Sequence, residues 1–473
     1  MIFTELQFWV FFTVVTGLYV VLPHRAQNRM LLVASYVFYG AWDWRFLSLI
    51  LLSTAVDYLV GLRLAETQDV RGRRRLLQIS LAVNLGMLGI FKYLGFFAEG
   101  FADLMALAGL SADPVTLSVV LPVGISFYTF QTLSYTISIY RREIEPSRDF
   151  FDFALFVAFF PQLVAGPIER ASNLLPNIEK PRMLSWDALG RGTVLCLLGL
   201  IKKVVIADGV APSVDAIYAS PDPTRLDVLL ATWLFAIQIY GDFSGYTDIA
   251  RGVAKMLGFR LMRNFAQPYF AADPQEFWRR WHISLSTWLR DYLYISLGGN
   301  RGGRRATYRN LMATMTLGGL WHGAAWNFVA WGVFQGGLLA AHRALTGRHG
   351  RSGEGVSRGW GAWAMRALGI AVFFQVVCYG WLLFRATSFA QIVDFTWRLA
   401  AGPSGLTVPE PPFAALLGLG FLFVWDVLTE RSGDVRFYAR WPLVVRAGLY
   451  AGMVYLLAFG ATTAASAFIY FQF

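Results

Sequence analysis

Only five histidines occur in the 473 residues, and two of them stand in aromatic, apolar sequence: His282 within WRRWHISLSTW and His322 within TLGGLWHGAAWNFVAWG. Imidazole is the side chain whose ordinary pKa suits proton transfer near neutral pH. An ionisable group in so apolar a setting is costly to keep and points to function, although hydrogen-bonded packing competes for any single buried histidine. His322 has more in its favour. Gly318, Gly319 and Gly323 are expected to let a substrate approach the backbone, and Trp321, Trp326 and Asn327 are expected to frame a pocket. His24, His342 and His349 read as loop or helix-end residues.

The second constellation is basic. From Lys255 to Arg309 the chain carries ten Lys or Arg against three acids. Within this segment, FWRRWHISLSTWLRDYLYI places Trp278 and His282 four apart, with His282, Leu285 and Leu289 at helical spacing. That pattern predicts one amphipathic helix lying at the membrane interface. Its arginines could snorkel to lipid headgroups or form a phosphate-binding mouth for an anionic cytoplasmic donor, and composition weighs the two equally. The donor reading nominates Trp278, Arg279, Arg280, Trp281, Ser286, Arg290 and Asp291 as substrate contacts.

Two further motifs are polar within apolar sequence. QIYGDFSGYTDIARG holds Asp242 and Asp248, six apart and therefore on different helix faces, which argues against a paired-carboxylate site. Pairing with arginines or helix capping is the expected role of these acids, while Asp242 and Tyr246 stay among the substrate-contact candidates. VAFFPQLVAGPIER predicts a broken helix and a re-entrant turn shaping a cavity wall. No Walker loop, HExxH, Cys/His ligand set or dinucleotide fingerprint is present, so no metal is expected. GGNRGGRR reads as a flexible cytoplasmic turn.

The elements that must position these groups are membrane-like. The chain is 56% hydrophobic, 16% aromatic and only 15% charged, with a mean hydropathy of +0.48, outside the range of soluble domains. The net charge of +11 is expected to flank spans on the cytoplasmic side, with no nucleic acid as partner. Cys196 and Cys378 lie in apolar stretches and suggest no disulfide framework. At ~20 apolar residues per crossing, spans are expected near 6–22, 30–62, 76–98, 115–140, 150–166, 190–207, 226–250, 310–345, 363–384, 411–428 and 442–470. The first stays as a span because no cleavable signal pattern precedes it. Arg71, Arg73, Arg74 and Arg75 mark one cytoplasmic turn and Arg343, Arg348, Arg351, Arg358 and Arg366 another, while 98–114 and 208–227 fall on the outer side. No linker separates independent cores, so one polytopic all-α domain over 1–473 is expected, with core motifs in 226–345 and the cytoplasmic or interfacial segment in 255–309.

The run QIYGDFSGYTDIARGVAKMLGF, then NFAQPYFAADPQEFWRRWHISLSTWLRDYLYISLGGNR, then GGLWHGAAWNFVAWG resembles the membrane-bound O-acyltransferase (MBOAT) family, in its alginate O-acetyltransferase-like branch. LPVGISFYTFQTLSYTISIYR, FPQLVAGPIER and the FIYFQF ending extend the resemblance over most of the chain. By resemblance, His322 is the family's catalytic histidine and His282 its second motif position, where many eukaryotic members carry Asn or Asp. The resemblance implies about eleven transmembrane helices plus re-entrant or interfacial helices, ringed around a central tunnel in a bacterial inner membrane. It further implies that acetyl-CoA, a co-substrate rather than a bound cofactor, supplies acetyl for an exopolysaccharide acceptor, directly or through an extracytoplasmic SGNH-type partner. A D-alanyl or other acyl transferase of the same fold is the second reading. A transporter using its histidines as proton relays is the third, though no internal repeats are visible.

Overall fold

The computed structural model describes residues 1–110, 121–164, 166–347, 360–407, 410–462 and 468–469. Pro114, the first part of the 115–140 span, part of the 442–470 span, Arg348, His349, Arg351, Arg358 and the last four residues of FIYFQF lie outside the described residues.

Among the described residues every regular element is helical. Six helical stretches are long and apolar enough to cross a membrane: His24–Glu66, Val70–Leu107, Arg225–Met256, Trp360–Arg385, Phe413–Ser432 and Leu443–Gly460. Their exposed positions are those a soluble protein would bury, such as Leu443, Val444 and Phe459, as expected where lipid is the solvent. Several expected crossings divide. The 30–62 run turns at Trp44–Phe46, where the Asp43 carboxylate accepts the Arg45 N–H. The 310–345 run becomes two helices, Gly303–His322 and Trp326–Thr346, because Gly323 leaves the helix with extended backbone.

The chain forms two compact units, Met1–Leu195 with Ala250–Met262, and Cys196–Ile249 with Arg263–Phe473. In the first unit, helices Leu47–Glu66, Val70–Leu88 and Ile125–Tyr140 share a polar core. Asp57, fully buried, accepts from Ser80 Oγ (2.5 Å) and Asn84 Nδ2 (2.8 Å), and Ser53 donates to Asn84 (2.7 Å). Neutral donors thus satisfy a carboxylate that would otherwise be prohibitive to bury. Arg73, expected to mark a cytoplasmic turn, is instead buried. Its guanidinium donates to the carbonyls of Leu64, Ile139 and Tyr140, closing two helix C-termini whose last carbonyls have no intrahelical partner. The predicted break in VAFFPQLVAGPIER is present: the Phe150–Ala158 helix ends at Phe159, and a single turn, Phe160–Leu163, follows. Glu169 is buried there and accepts from the Met262 N–H at 2.5 Å.

In the second unit, Gly199 and Gly245 bring two helices into backbone contact; a Cβ on Gly199 would stand 2.5 Å from the Gly245 carbonyl. The Trp186–Leu200 helix runs through a π-helical turn, Ile201–Ala207, into a further helix, Asp208–Ala219. The 208–227 segment, expected as an outer-side connection, therefore begins inside the fold. Asp208 is buried, with a carboxylate oxygen 2.7 Å from Lys203 Nζ, and this cation is what lets the acid leave water.

Candidate functional site

His322 is the last residue of the Gly303–His322 helix and 3% exposed. The hairpin that carries it is held by glycine. A Cβ on Gly319 would run into the Phe328 carbonyl and stand 3.0 Å from Gly332, one on Gly323 would run into the Phe328 ring, and one on Gly332 would meet the Met315 carbonyl at 2.5 Å. Glycines 319 and 323 were expected to open a path for substrate. The structure corrects this: they let the two helices touch, and a Cβ on Gly318 would stand 3.0 Å from Leu289.

Four aromatic rings pack around the imidazole. Trp321 lies 5.0 Å from it between centroids, Trp331 5.1 Å and nearly perpendicular, Phe384 5.5 Å, and His282 6.4 Å. Asn327, expected to frame the pocket, instead donates from Nδ2 to the carbonyls of Phe384 (3.0 Å) and Ala386 (2.9 Å). It caps the end of the Trp360–Arg385 helix and so holds Phe384 in place.

The single amphipathic helix expected around His282 is not formed. Helix Pro274–Arg280 ends at Trp281, and a new helix begins at Ile283. Between them His282 is fully buried with φ of 41°, a left-handed conformation that an L side chain adopts only under constraint. Asn264 supplies that constraint. Its Oδ1 accepts the Ser284 N–H at 3.1 Å and lies 3.4 Å from His282 Nδ1, and its carbonyl accepts the Ile283 N–H at 2.9 Å. Phe243 meets the His282 ring edge-on at 4.7 Å. His282 lies outside the six apolar stretches, and complete burial pushes its pKa down to about 3. The ring is neutral and acts as a hydrogen-bonding group rather than a cation.

A cavity of about 410 Å³ is lined by Ile283, the residue after His282, and by Trp278, Arg279, Ser286 and Arg290 among others. Trp278 also packs on Trp331 (5.9 Å), which in turn packs on His322. The cavity reaches Leu311 and Met315 of the His322 helix. Those positions share a helix face with His322, and Met315 is ~10 Å from it at 1.5 Å rise per residue.

The other nominated residues have different surroundings. Arg280 forms a bidentate pair with Glu430 (2.7 and 2.8 Å) and a bridge to Glu276 (2.8 Å). Trp281 is core, stacked on Phe277 and packed on Trp381. Asp291 pairs with Arg290 at 2.6 Å. Asp242 and Asp248, expected opposite arginines, pair with lysines instead: Asp242 with Lys203 and Asp248 with Lys202, each at 2.8 Å. The π-helical turn projects both lysines inward, which residue spacing alone does not foretell. Tyr246 packs against Phe468 at 4.5 Å. Asn264, Thr287 and Trp331 were missed. Asn264 and Thr287 are small polar residues that no motif singles out, and Trp331 reaches His322 only because the hairpin folds back.

The MBOAT profile, described as the membrane-bound O-acyltransferase family, matches residues 141–378. A "Probable alginate O-acetylase" of Azotobacter vinelandii is 43% identical over 403 residues, 85% of this chain and 77% of that protein. A "Peptidoglycan O-acetyltransferase" of Helicobacter pylori is 35% identical over 78% of this chain and 73% of its own length. A "Teichoic acid D-alanyltransferase" of Bacillus subtilis is 26% identical over 56% of this chain and 69% of its own. The chain therefore belongs to the membrane-bound O-acyltransferase family and is a multi-pass membrane acyltransferase of the O-acetyltransferase type.

Proposed function

We propose that this enzyme takes acetyl from acetyl-CoA on the cytoplasmic side and delivers it for O-acetylation of an exported, alginate-like polysaccharide. Delivery is direct or through a serine of an extracytoplasmic SGNH-type partner. In this reading the whole chain works as one domain of about eleven crossings around a tunnel in the bacterial inner membrane. The observation that supports it is a cavity walled by Arg279 and Arg290, whose Trp278 packs on Trp331 and Trp331 on His322. The names of the two O-acetyltransferase relatives supply the acceptor class.

The chemistry is acyl transfer. Arg279 and Arg290 bind the donor phosphates, and Trp278 and Ser286 line its path. His322 removes the proton from the acceptor hydroxyl as its oxygen bonds to the thioester carbonyl carbon, and returns that proton to the departing CoA sulfur. His282, held neutral, donates an N–H to the carbonyl oxygen as negative charge develops there.

The test compares wild type with His322→Ala at matched protein levels, measuring acetyl content of the surface polysaccharide and acetyl-CoA turnover in purified membranes. Loss of both supports the reading. Retention of both removes His322 from the chemistry. Turnover of an activated D-alanyl donor in place of acetyl-CoA would assign the chain to the D-alanyl reading.

A further inference from the structure

We infer that Asp242 is a positioning residue: it anchors Phe468 and Ile469 so that Phe468 braces the Phe243 wall of the His282 ring. The inference rests on the acetyl-transfer reading above, in which His282 is a working group.

Asp242 is buried on the Arg225–Met256 helix, and its two oxygens have distinct tasks. Oδ1 lies 2.8 Å from Lys203 Nζ, and Oδ2 accepts the main-chain N–H of Ile469 at 2.6 Å. Lys203 is shared with Asp208, so one cation stands between two buried carboxylates. Burial makes a charge-assisted bond from a backbone amide strongly favourable at the Asp242 carboxylate. That bond joins positions 227 apart in sequence and holds Ile469, with Phe468 beside it, against the helix.

The anchored pair reaches the candidate site through rings. Phe468 is 1% exposed and packs on Tyr246 at 4.5 Å and on Phe243 at 5.9 Å. Phe243 in turn meets the His282 imidazole edge-on at 4.7 Å, with the planes 88° apart. His282 has a backbone conformation that its neighbours must enforce. Asn264 holds that backbone, and Phe243, nearer than Trp321, limits how the imidazole turns. If Phe468 or its anchor is lost, Phe243 gains room and the His282 N–H loses its aim.

The experiment uses the full-length chain in detergent or membranes, at matched folded protein, with acetyl-CoA as donor. Phe468→Ala is expected to lower kcat by about tenfold, as misplacement of a reacting group does, and to leave the acetyl-CoA KM unchanged. Phe468→Leu, which refills most of the space, is expected to recover most of that loss. Asp242→Asn, which keeps an acceptor for Ile469 but removes the charge opposite Lys203, is expected to lower kcat by a smaller factor. The double variant Asp242→Asn/Phe468→Ala is expected to match Phe468→Ala alone, because both act along one path. A second readout is independent of turnover: hydrogen exchange of the 280–288 amides is expected to quicken in Phe468→Ala. Wild-type kcat in Phe468→Ala, effects that multiply in the double variant, or unchanged exchange would each overturn the inference. A wild type that exchanges as expected but never consumes acetyl-CoA would instead overturn the donor reading.

Discussion

The rings of His282 and His322 lie 6.4 Å apart, and Trp321 packs against both, at 6.0 and 5.0 Å. That separation puts the two imidazoles beyond hydrogen-bonding reach of each other, so neither serves as the other's partner. Trp321 is the ring that the two imidazoles share as a neighbour.

The left-handed backbone at His282 separates its ring from its conformation. His282→Gly is expected to lose activity and to be destabilised only by the space its buried ring leaves, since glycine adopts this φ without strain. His282→Ala loses the ring and keeps the strain, and is expected to be less stable than the glycine variant by about 1–2 kcal/mol. Melting temperatures in detergent, read beside acetyl-CoA turnover, give both quantities. Equal stability of the two variants would mean that the conformation carries no strain.

The same residue gives a pH dependence of stability. Its folded pKa of about 3 lies below the ordinary 6.5. The unfolded chain takes up a proton below 6.5 that the folded chain refuses until about 3, so stability is full above this window and falls as pH drops through it. The slope reaches about 1.4 kcal/mol per pH unit. His282→Asn removes this contribution, and its melting temperature is expected to fall less than that of wild type between pH 7.5 and 5 in matched titrations.

Neighbouring arginines are expected to fail in different ways. Arg279→Ala removes a cation from the cavity wall and should raise the donor KM about tenfold with little change in kcat, as loss of a uniform charged contact does. Arg280→Ala removes the bidentate partner of Glu430 and leaves Glu276 with Arg366 and should destabilise the fold by about 1–3 kcal/mol. Steady-state kinetics and thermal melts of both variants distinguish binding from support.

Asn327 supports Phe384 rather than substrate. Asn327→Ala leaves the carbonyls of Phe384 and Ala386 without their donor and is expected to cost about 1–3 kcal/mol. Asn327→Asp is expected to behave alike, because a carboxylate cannot donate. A variant with wild-type melting and a raised donor KM would return Asn327 to the binding site.

The glycine seam of the His322 hairpin is testable by contrast. Gly319→Ala drives a methyl into the Phe328 carbonyl and is expected to cost about 1–3 kcal/mol by overpacking. Gly337→Ala, on the same hairpin with open space around it, should be neutral or stabilising by up to about 1 kcal/mol. Size-exclusion profiles and melting temperatures of the pair report the difference.

The sequence by itself determined the helical class, the membrane setting and the two histidines. Hydropathy is a sum over residues that needs no partner, and an imidazole in apolar sequence is conspicuous wherever the chain places it. The sequence also nominated Trp278, Arg279, Arg280, Trp281, Ser286, Arg290 and Asp291 as one group, and the structure brings Trp278, Arg279, Ser286 and Arg290 to one cavity while placing the other three elsewhere. Only the tertiary structure decided the rest. The helix break at His282 depends on Asn264, eighteen positions away. Glycines 319 and 323 serve helix contact because a second helix folds back on them, and Asn327 became a cap because a distant helix ends beside it. Asp242 met a lysine and the chain's far end rather than an arginine. Apart from the glycine hairpin, whose partners Phe328 and Gly332 follow closely, these roles are fixed by partners further away along the chain, and burial requires every polar group to find one; no local pattern of residues says which partner that will be.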